Sequence, residues 1–478
     1  MPSIFARSAA LATLALAGCS TLIPPYERPA APVPSSYAPE TMAAAASGSD
    51  AAADVDWQRF YADPRLTRLI ALALVNNRDL RVAVLNIEQT RALYQVRRAD
   101  ELPSVGAGAT VSRQPVGTKL ATSYAVGFAV TGYELDLFGR VHDLSEAALA
   151  QYFATAENRK AAQISLISSL ANAYLNVLAD DELLRVTRQT LTTREDGSRL
   201  TKLRFDNGAS SELDYRQAES LLEGARVALA QAIRQKALDE NALQLLVGQA
   251  LPGDLPEPLP LDAQQLSGDV PAGLPSDLLV RRPDVRASER QLLAANANIG
   301  AARAAFFPRI SLTANLGTAS SELSGLFKGG SYAFTGTAQL LQPIFDAGRN
   351  RANLDVANVN RDIAVAQYEK SIQTAFREVS DALAGRATLG EQLRAQEALT
   401  NALAITYRLA DLRYRAGAAS YLDTLDAQRS LFAAQQALVQ TQALQLQNLV
   451  ALYRALGGGW HEAAEVAAAS NPPIPAPR

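Results

Sequence analysis

The chain has 478 residues, 45 basic against 48 acidic side chains and a net charge of −3. No basic excess exists to hold a polyanion, so nucleic-acid binding is not expected. The single Cys excludes an internal disulfide. With only two His, His142 and His461, zinc sites and His-based triads lack their material, so no catalytic group, metal or cofactor is expected.

In residues 1–18, Arg7 supplies a short positive region and Ser8 to Ala17 an apolar stretch. That stretch is too short to span a bilayer and has the form of a secretory signal peptide. It ends in Leu16-Ala17-Gly18-Cys19, which resembles a bacterial lipobox and marks Cys19 for lipidation. Ser20 stands where inner-membrane retention resembles an Asp, so the outer membrane is the expected destination. No later run of about 18 apolar residues occurs, so no helical membrane span is expected.

Proline marks the organisation of the rest. Clusters lie at Pro24–Pro39, Pro252–Pro275 and Pro472–Pro477, whereas 116–251 and 344–471 hold no Pro. Proline breaks helix interiors, and these stretches are rich in Ala, Leu, Gln, Glu and Arg, so very long helices are expected. In chain order, the Pro-rich segment 19–62 leads to a helix over 64–100. Strands follow in 104–134, then helices over 145–205 and 212–247. After a Pro-rich connector, 248–276, come a helix over 277–304, strands in 309–342 and helices over 350–415 and 420–456. The longest would reach roughly 90–95 Å. Gly457–Gly459 break the final helix before the tail 457–478. Ala218, Leu222, Ala225, Leu229 and Ala232 advance by alternating four and three, as in a coiled-coil seam; a structural rod would show the same seam.

The chain also repeats itself. Residues 203–222 align with 412–431 at an offset of 209, and Gly139-Arg140 with Gly348-Arg349. Nearer the start the offset is 205, pairing Asp79 with Asp284, Arg98 with Arg303 and Pro103 with Pro308. The four-residue change suggests a longer loop in the second half. Two similar halves result, 63–247 and 277–456, each ordered helix, hairpin, long helix, turn, helix.

Where the offset changes, periodicity is two. Val105 and Val111, Tyr124 and Phe128, Ile310 and Leu312, and Tyr332 and Phe334 fall on apolar faces, with small or polar residues between them. This fits lipid-facing transmembrane strands and equally the half-buried strands of a soluble sheet. In lipid an open sheet edge is not tolerated. Four membrane strands would therefore have to be pooled between copies; a trimer gives twelve.

Five motifs occur in order. They are Glu134-Leu-Asp-Leu-Phe-Gly-Arg140, Arg281-Arg-Pro-Asp-Val285, Pro343-Ile-Phe-Asp-Ala-Gly-Arg349, Tyr414-Arg-Ala-Gly417 with Ser420-Tyr-Leu-Asp423, and Ala451-Leu-Tyr-Arg-Ala-Leu-Gly-Gly-Gly-Trp460. Together they resemble the TolC-like outer membrane factor family, in particular the NodT-type lipoproteins of RND efflux systems. The resemblance implies a mainly α fold with a small β part: a homotrimer whose twelve-stranded β-barrel crosses the outer membrane above an α-helical periplasmic tunnel. It also implies passive conduction of drugs or other small molecules from a periplasmic adaptor and an inner-membrane RND transporter, with the Pro-rich pieces forming an equatorial belt. The same fold serves type I protein or oligosaccharide export. A coiled-coil lipoprotein without a pore leaves the hairpins unexplained.

The tips, 205–214 and 414–423, are where such a tunnel narrows and an adaptor docks. Gly208 and Gly417 permit the turns. Arg204, Arg413 and Arg415 are candidate ion-pairing groups. Asp206, Asp214, Asp423 and Asp426 are candidates for an acidic ring or, as readily, helix caps and solvated groups. Relatives often carry an acid within the second turn, but here Ala418 and Ala419 occupy it.

Overall fold

A computed structural model describes residues 21–37, 55–266 and 278–460. Cys19, the signal peptide, His461 and the rest of the tail lie outside the described residues. The elements, in chain order, are α1 (Trp57–Phe60), α2 (Pro64–Asn76), α3 (Arg78–Ala99), β1 (Val105–Val116), β2 (Lys119–Leu135), α4 (Arg140–Asp206) and α5 (Glu212–Val247). They continue with α6 (Leu278–Arg281), α7 (Pro283–Ala304), β3 (Arg309–Ser320), β4 (Tyr332–Leu341), α8 (Arg349–Arg415) and α9 (Tyr421–Ala455). The two long helices, α4 and α8, have 67 residues each, about 100 Å of helix at 1.5 Å per residue. Among the described residues no helix is long and apolar enough to cross a membrane.

The chain divides into two compact units. One comprises residues 21–31, 84–157 and 286–371, and the other 32–37, 55–83, 158–266, 278–285 and 372–460.

The first unit holds the sheet, fully antiparallel in the order β1-β2-β3-β4, with the helices α4 to α7 intervening in the chain between β2 and β3, so β1 and β4 are its edges. The strands fall within the expected regions 104–134 and 309–342, except that β2 runs one residue further, to Leu135. β1 and β2 meet in a tight turn at Gly117, which has φ +63°. The expected longer loop of the second half is the segment 321–331, which carries a short 3-10 turn at Leu323–Gly325. β2 carries a bulge between Val130 and Tyr133 opposite Thr313, with Gly132 at φ +65° and its N–H donating to the Thr313 hydroxyl at 3.2 Å.

Residues 21–28 dock along α7. The Asn296 side-chain amide donates to the Pro24 carbonyl at 2.8 Å and Arg303 to that of Leu22 at 3.3 Å, while Arg28 forks onto Glu289 at 2.7 and 3.0 Å. The Thr21 hydroxyl donates to the buried Asp143 carboxylate at 2.6 Å. The Pro-rich segment expected to form one belt piece over 19–62 is thus divided, because these bonds place its described start in the sheet-bearing unit.

The second unit is helical. Its core includes Phe60 stacked on Tyr453 at 4.0 Å, with Tyr61 edge-on to both. Asp63 caps α2 ahead of Pro64. One of its carboxylate oxygens accepts from the N–H groups of Arg65 and Leu66, and the other from the Tyr174 hydroxyl and the Gln264 side-chain amide, both at 2.7 Å. Lys160 lies 4.5 Å above the Trp460 ring.

Two expected helices are each divided. The helix over 64–100 breaks at Asn77, whose side chain donates to the Leu246 carbonyl and accepts from Leu80 N–H, both at 2.9 Å. The helix over 277–304 breaks at Arg282, before Pro283. The breaks are repeat equivalents. Gly248 (φ +80°) packs on the Asn76 carbonyl where a Cβ would collide, and Gly457 (φ +85°) lies on that of Arg281, where a Cβ would approach to 3.0 Å. The seam of α5 is also shifted. Ala218, Leu221 and Ala225 are buried, whereas Leu222, Leu229 and Ala232 are half-exposed.

Candidate channel elements

In an antiparallel sheet directly opposed residues share a face. Val105 faces Val130, Val111 faces Tyr124, and Ala107 faces Phe128. Phe128 faces Leu316, which faces Phe334; Ile310 faces Leu340 and Leu312 faces Ala338; Thr318 faces Tyr332. The register therefore gathers Val105, Val111, Tyr124, Phe128, Ile310, Leu312, Tyr332 and Phe334 on one side of one sheet. The opposite side carries Gly106, Gly108, Thr110, Gly127, Thr313, Asn315, Gly317, Thr335 and Thr337. There Gly127 faces Gly317 so closely that a Cβ on either would meet the neighbouring backbone.

The bulge is the part that sequence periodicity missed. It moves the apolar positions of β2 from even numbers (Tyr124 to Val130) to odd ones (Tyr133, Leu135), so they stay opposite Leu312 and Ile310. The signal was present as a glycine inside an alternating run, where the parity changes.

At the base of the sheet the first motif shows its purpose. Arg140 forks onto Glu134 at 2.8 and 2.7 Å, and Glu134 also holds Arg309 at 3.2 Å. Asp136 accepts from His142 N–H at 2.7 Å across the left-handed Gly139 (φ +77°), starting α4. In the third motif Asp346 accepts from the N–H groups of Gly348 and Asn350, both at 2.9 Å, and so starts α8.

The two tips, both in the helical unit, are built alike. α4 ends with Ala209 N–H donating to the Arg204 carbonyl at 2.8 Å and Gly208 N–H to that of Phe205 at 2.9 Å. α8 ends with Ala418 N–H donating to Arg413 at 2.8 Å and Gly417 N–H to Tyr414 at 3.0 Å. With Gly208 at φ +71° and Gly417 at +72°, both are Schellman turns. Serine then caps each following helix. Ser211 accepts from Asp214 N–H at 3.1 Å and Ser420 from Asp423 N–H at 3.4 Å.

The charged tip residues are held locally. Burial pushes the Asp214 carboxyl up, but hydrogen bonds from Ser211 and Ser210 outweigh it and hold the group below the ordinary carboxylate range. Asp206 pairs with Lys202 at 2.8 Å, Arg415 with Asp411 at 2.8 Å and Asp426 with Arg429 at 3.6 Å. Arg204 lies over the Tyr414 ring at 4.7 Å, tying the first tip to the second. Asp423 and Arg413 have exposed side chains. Sequence reasoning overlooked Tyr421, which packs against α4 at Gly197 and lies 5.0 Å from Tyr414, ring to ring.

The family model described as outer membrane efflux protein matches residues 69–249 and 274–458, one segment in each repeat. The chain belongs to the outer membrane efflux protein family. It is 49% identical to the toluene efflux pump outer membrane protein TtgC of Pseudomonas putida, over 95% of this chain and 96% of that one. With the outer membrane protein OprJ of Pseudomonas aeruginosa the identity is 47%, over 96% of each. Among solved structures, the open state of the Neisseria gonorrhoeae MtrE outer membrane channel superposes with a TM-score of 0.84 at 42% identity, covering 92% of this chain and 98% of that one. The Campylobacter jejuni CmeC outer membrane channel gives 0.84 at 26%, covering 94% and 98%. This outer membrane efflux protein is thus an outer membrane channel component of an efflux pump, mainly helical with a small sheet.

Proposed function

We propose that three copies of this chain pool their hairpins into a twelve-stranded barrel through the outer membrane and form the passive exit duct of a tripartite RND-type pump. The observation that carries this reading is the open four-stranded sheet, apolar on one face and with both edges unpaired among the described residues. A four-stranded sheet cannot close on itself, and in lipid each unpaired backbone group costs several kcal/mol. The eight apolar strand residues from Val105 to Phe334 face lipid, the small and polar side faces the lumen, and Cys19 carries the acyl anchor.

A periplasmic adaptor docks at the two tips and an inner-membrane RND transporter supplies the cargo. Relatives named for toluene, antibiotic and solvent efflux support small apolar or amphiphilic molecules as the cargo class. At the tips Arg204, Arg413 and Arg415, with Asp206, Asp214, Asp423 and Asp426, set the charge of the constriction, acting through pore width and field without covalent chemistry. The test is single-channel recording of the purified protein in planar bilayers, with a drug- and solvent-susceptibility panel on a deletion strain. Discrete conductance steps and raised susceptibility are expected. A protein that forms no pore would defeat the reading.

A further inference from the structure

The two loops that lead from the sheet into α4 and α8 are repeat equivalents, and they differ in charge. In the first, Arg140 forks onto Glu134, and the carboxylates of Asp136 and Asp100 are close enough to act on it as well. Carried through the offsets of 209 and 205, Arg140 becomes Arg349, Glu134 becomes Pro343, Asp136 becomes Phe345 and Asp100 becomes Ala305. The second loop keeps the guanidinium and has an uncharged side chain in place of every acid.

Arg349 is exposed and, among the described residues, has no carboxylate within ion-pair distance. Asp346, three residues earlier, spends both oxygens on the N–H groups of Gly348 and Asn350 and feels the Arg349 charge only at longer range. Arg349 lines a cavity of about 170 Å³ in the sheet-bearing unit. Arg140 and Arg309 line it too, and both pair with the same carboxylate, Glu134. Asp136, the other acid on its wall, accepts from His142 N–H. Three guanidiniums therefore stand against two carboxylates, and the uncompensated one is Arg349. Phe138 and Phe307, stacked at 4.6 Å, form an aromatic part of the wall. Glu134 and Arg309 occupy positions on the small and polar side of the sheet.

We propose that this cavity binds the acid group of anionic aromatic cargo, with Arg349 as its anchor. The proposal rests on the reading that the polar side of the sheet faces the lumen, and it adds a substrate class and a place where that class is held. A guanidinium offers a carboxylate or sulfonate two parallel donors. Drug-sized ligands occupy pockets of about 300–1,000 Å³, so this cavity takes the head group and leaves the rest of the molecule in the open duct. An ion pair on an exposed guanidinium is weak, which suits a duct that must release what it binds.

A second feature agrees. Arg140 and Arg349 are the first residues of α4 and α8, where the positive end of a helix disfavours a cation. Glu134 offsets that cost at Arg140. At Arg349 the equivalent position is Pro343, and a bound anion supplies the missing charge.

Equilibrium dialysis of the purified full chain tests this, with 2-naphthoate as the probe, 2-naphthalenemethanol as its neutral counterpart and inorganic phosphate as a bare anion. The parent should bind the naphthoate about fivefold more tightly than the alcohol at low salt, and the preference should shrink as salt screens the pair. Arg349→Gln should abolish the preference and Arg349→Lys should keep part of it. Arg309→Gln, which leaves Arg349 in place, should weaken it less. Equal binding of acid and alcohol by the parent, or an unchanged preference in Arg349→Gln, would overturn the site. Phosphate binding as tight as that of naphthoate would overturn the aromatic class. If Arg349→Gln dissociates the oligomer on native gels and leaves the naphthoate preference intact, Arg349 belongs to an ion pair between copies and the proposal fails. Dialysis needs no pore, so these failures are distinct from an absence of conductance, which defeats the duct itself.

Discussion

Arg282 illustrates how one buried side chain sets local architecture. Its guanidinium forks onto Asp284 at 3.0 and 2.6 Å, reaches Glu378 at 2.8 Å and donates to the Ala455 carbonyl at 3.0 Å. Burial pulls its pKa down, but the two carboxylates outweigh that and raise it. Arg282→Ala leaves both acids without their partner and should cost about 3 kcal/mol, read as a lowered midpoint in denaturant. Arg282→Lys keeps the charge but not the fork, so partial recovery is expected.

Asp180 of α4 makes a prediction about pH. It is buried beside Asp239 of α5, with Asp181 and Lys236 facing it; Lys236 also pairs with Asp181 and Glu240. Burial first, then the hydrogen bond and charge of Asp239, push its carboxyl up to about 7. The folded state therefore holds a proton that the unfolded chain releases near the ordinary carboxylate value. Stability should be fully present below about pH 4 and decline as pH rises through about 7. Thermal melts across that window should show this slope in the parent and a flatter one in Asp180→Asn.

At the scale of elements, the tips and the bulge depend on left-handed backbone. Gly208 and Gly417 end α4 and α8 at φ +71° and +72°. Nothing lies within 4 Å of a Cβ built on either, so the cost of Ala is conformational, about 1–2 kcal/mol. Gly208→Ala and Gly417→Ala should each speed amide hydrogen exchange at their own tip and leave the sheet unchanged. Because the two turns share Schellman bonds and serine caps, the effects should be of similar size.

At the scale of the whole molecule, a duct is governed by its narrowest charged section. If the basic tip residues hold the constriction shut, Arg413→Glu should raise single-channel conductance in planar bilayers, and unchanged conductance would count against that role. Assembly is a separate matter. The double substitution Ile344→Asp with Phe345→Asp places charge on the exposed pair beside β4 and should shift the protein from trimer toward monomer on native gels, with the helical fold intact by circular dichroism.

Much was legible in the sequence because the relevant signals are local. Proline-free stretches gave the two long helices, alternation gave all four strands and the face of each, and Gly208 and Gly417 marked the turns. The offset pattern revealed two repeats. What escaped were features decided by contacts distant in sequence. Asn77 breaks a helix because Leu246 offers it a carbonyl, and Arg282 is buried because Glu378 and Ala455 converge on it. The bulge at Gly132 exists because β2 must keep its apolar residues opposite Leu312 and Ile310. Asp214 became a cap through Ser211, three residues away, which the motif allowed but did not compel. By itself the sequence determined the elements and their order, since period, propensity and turn chemistry act within a few residues. Only the tertiary structure decided the register between the repeats, because strand pairing joins residues nearly two hundred positions apart and the backbone hydrogen bonds that fix it carry no side-chain signature.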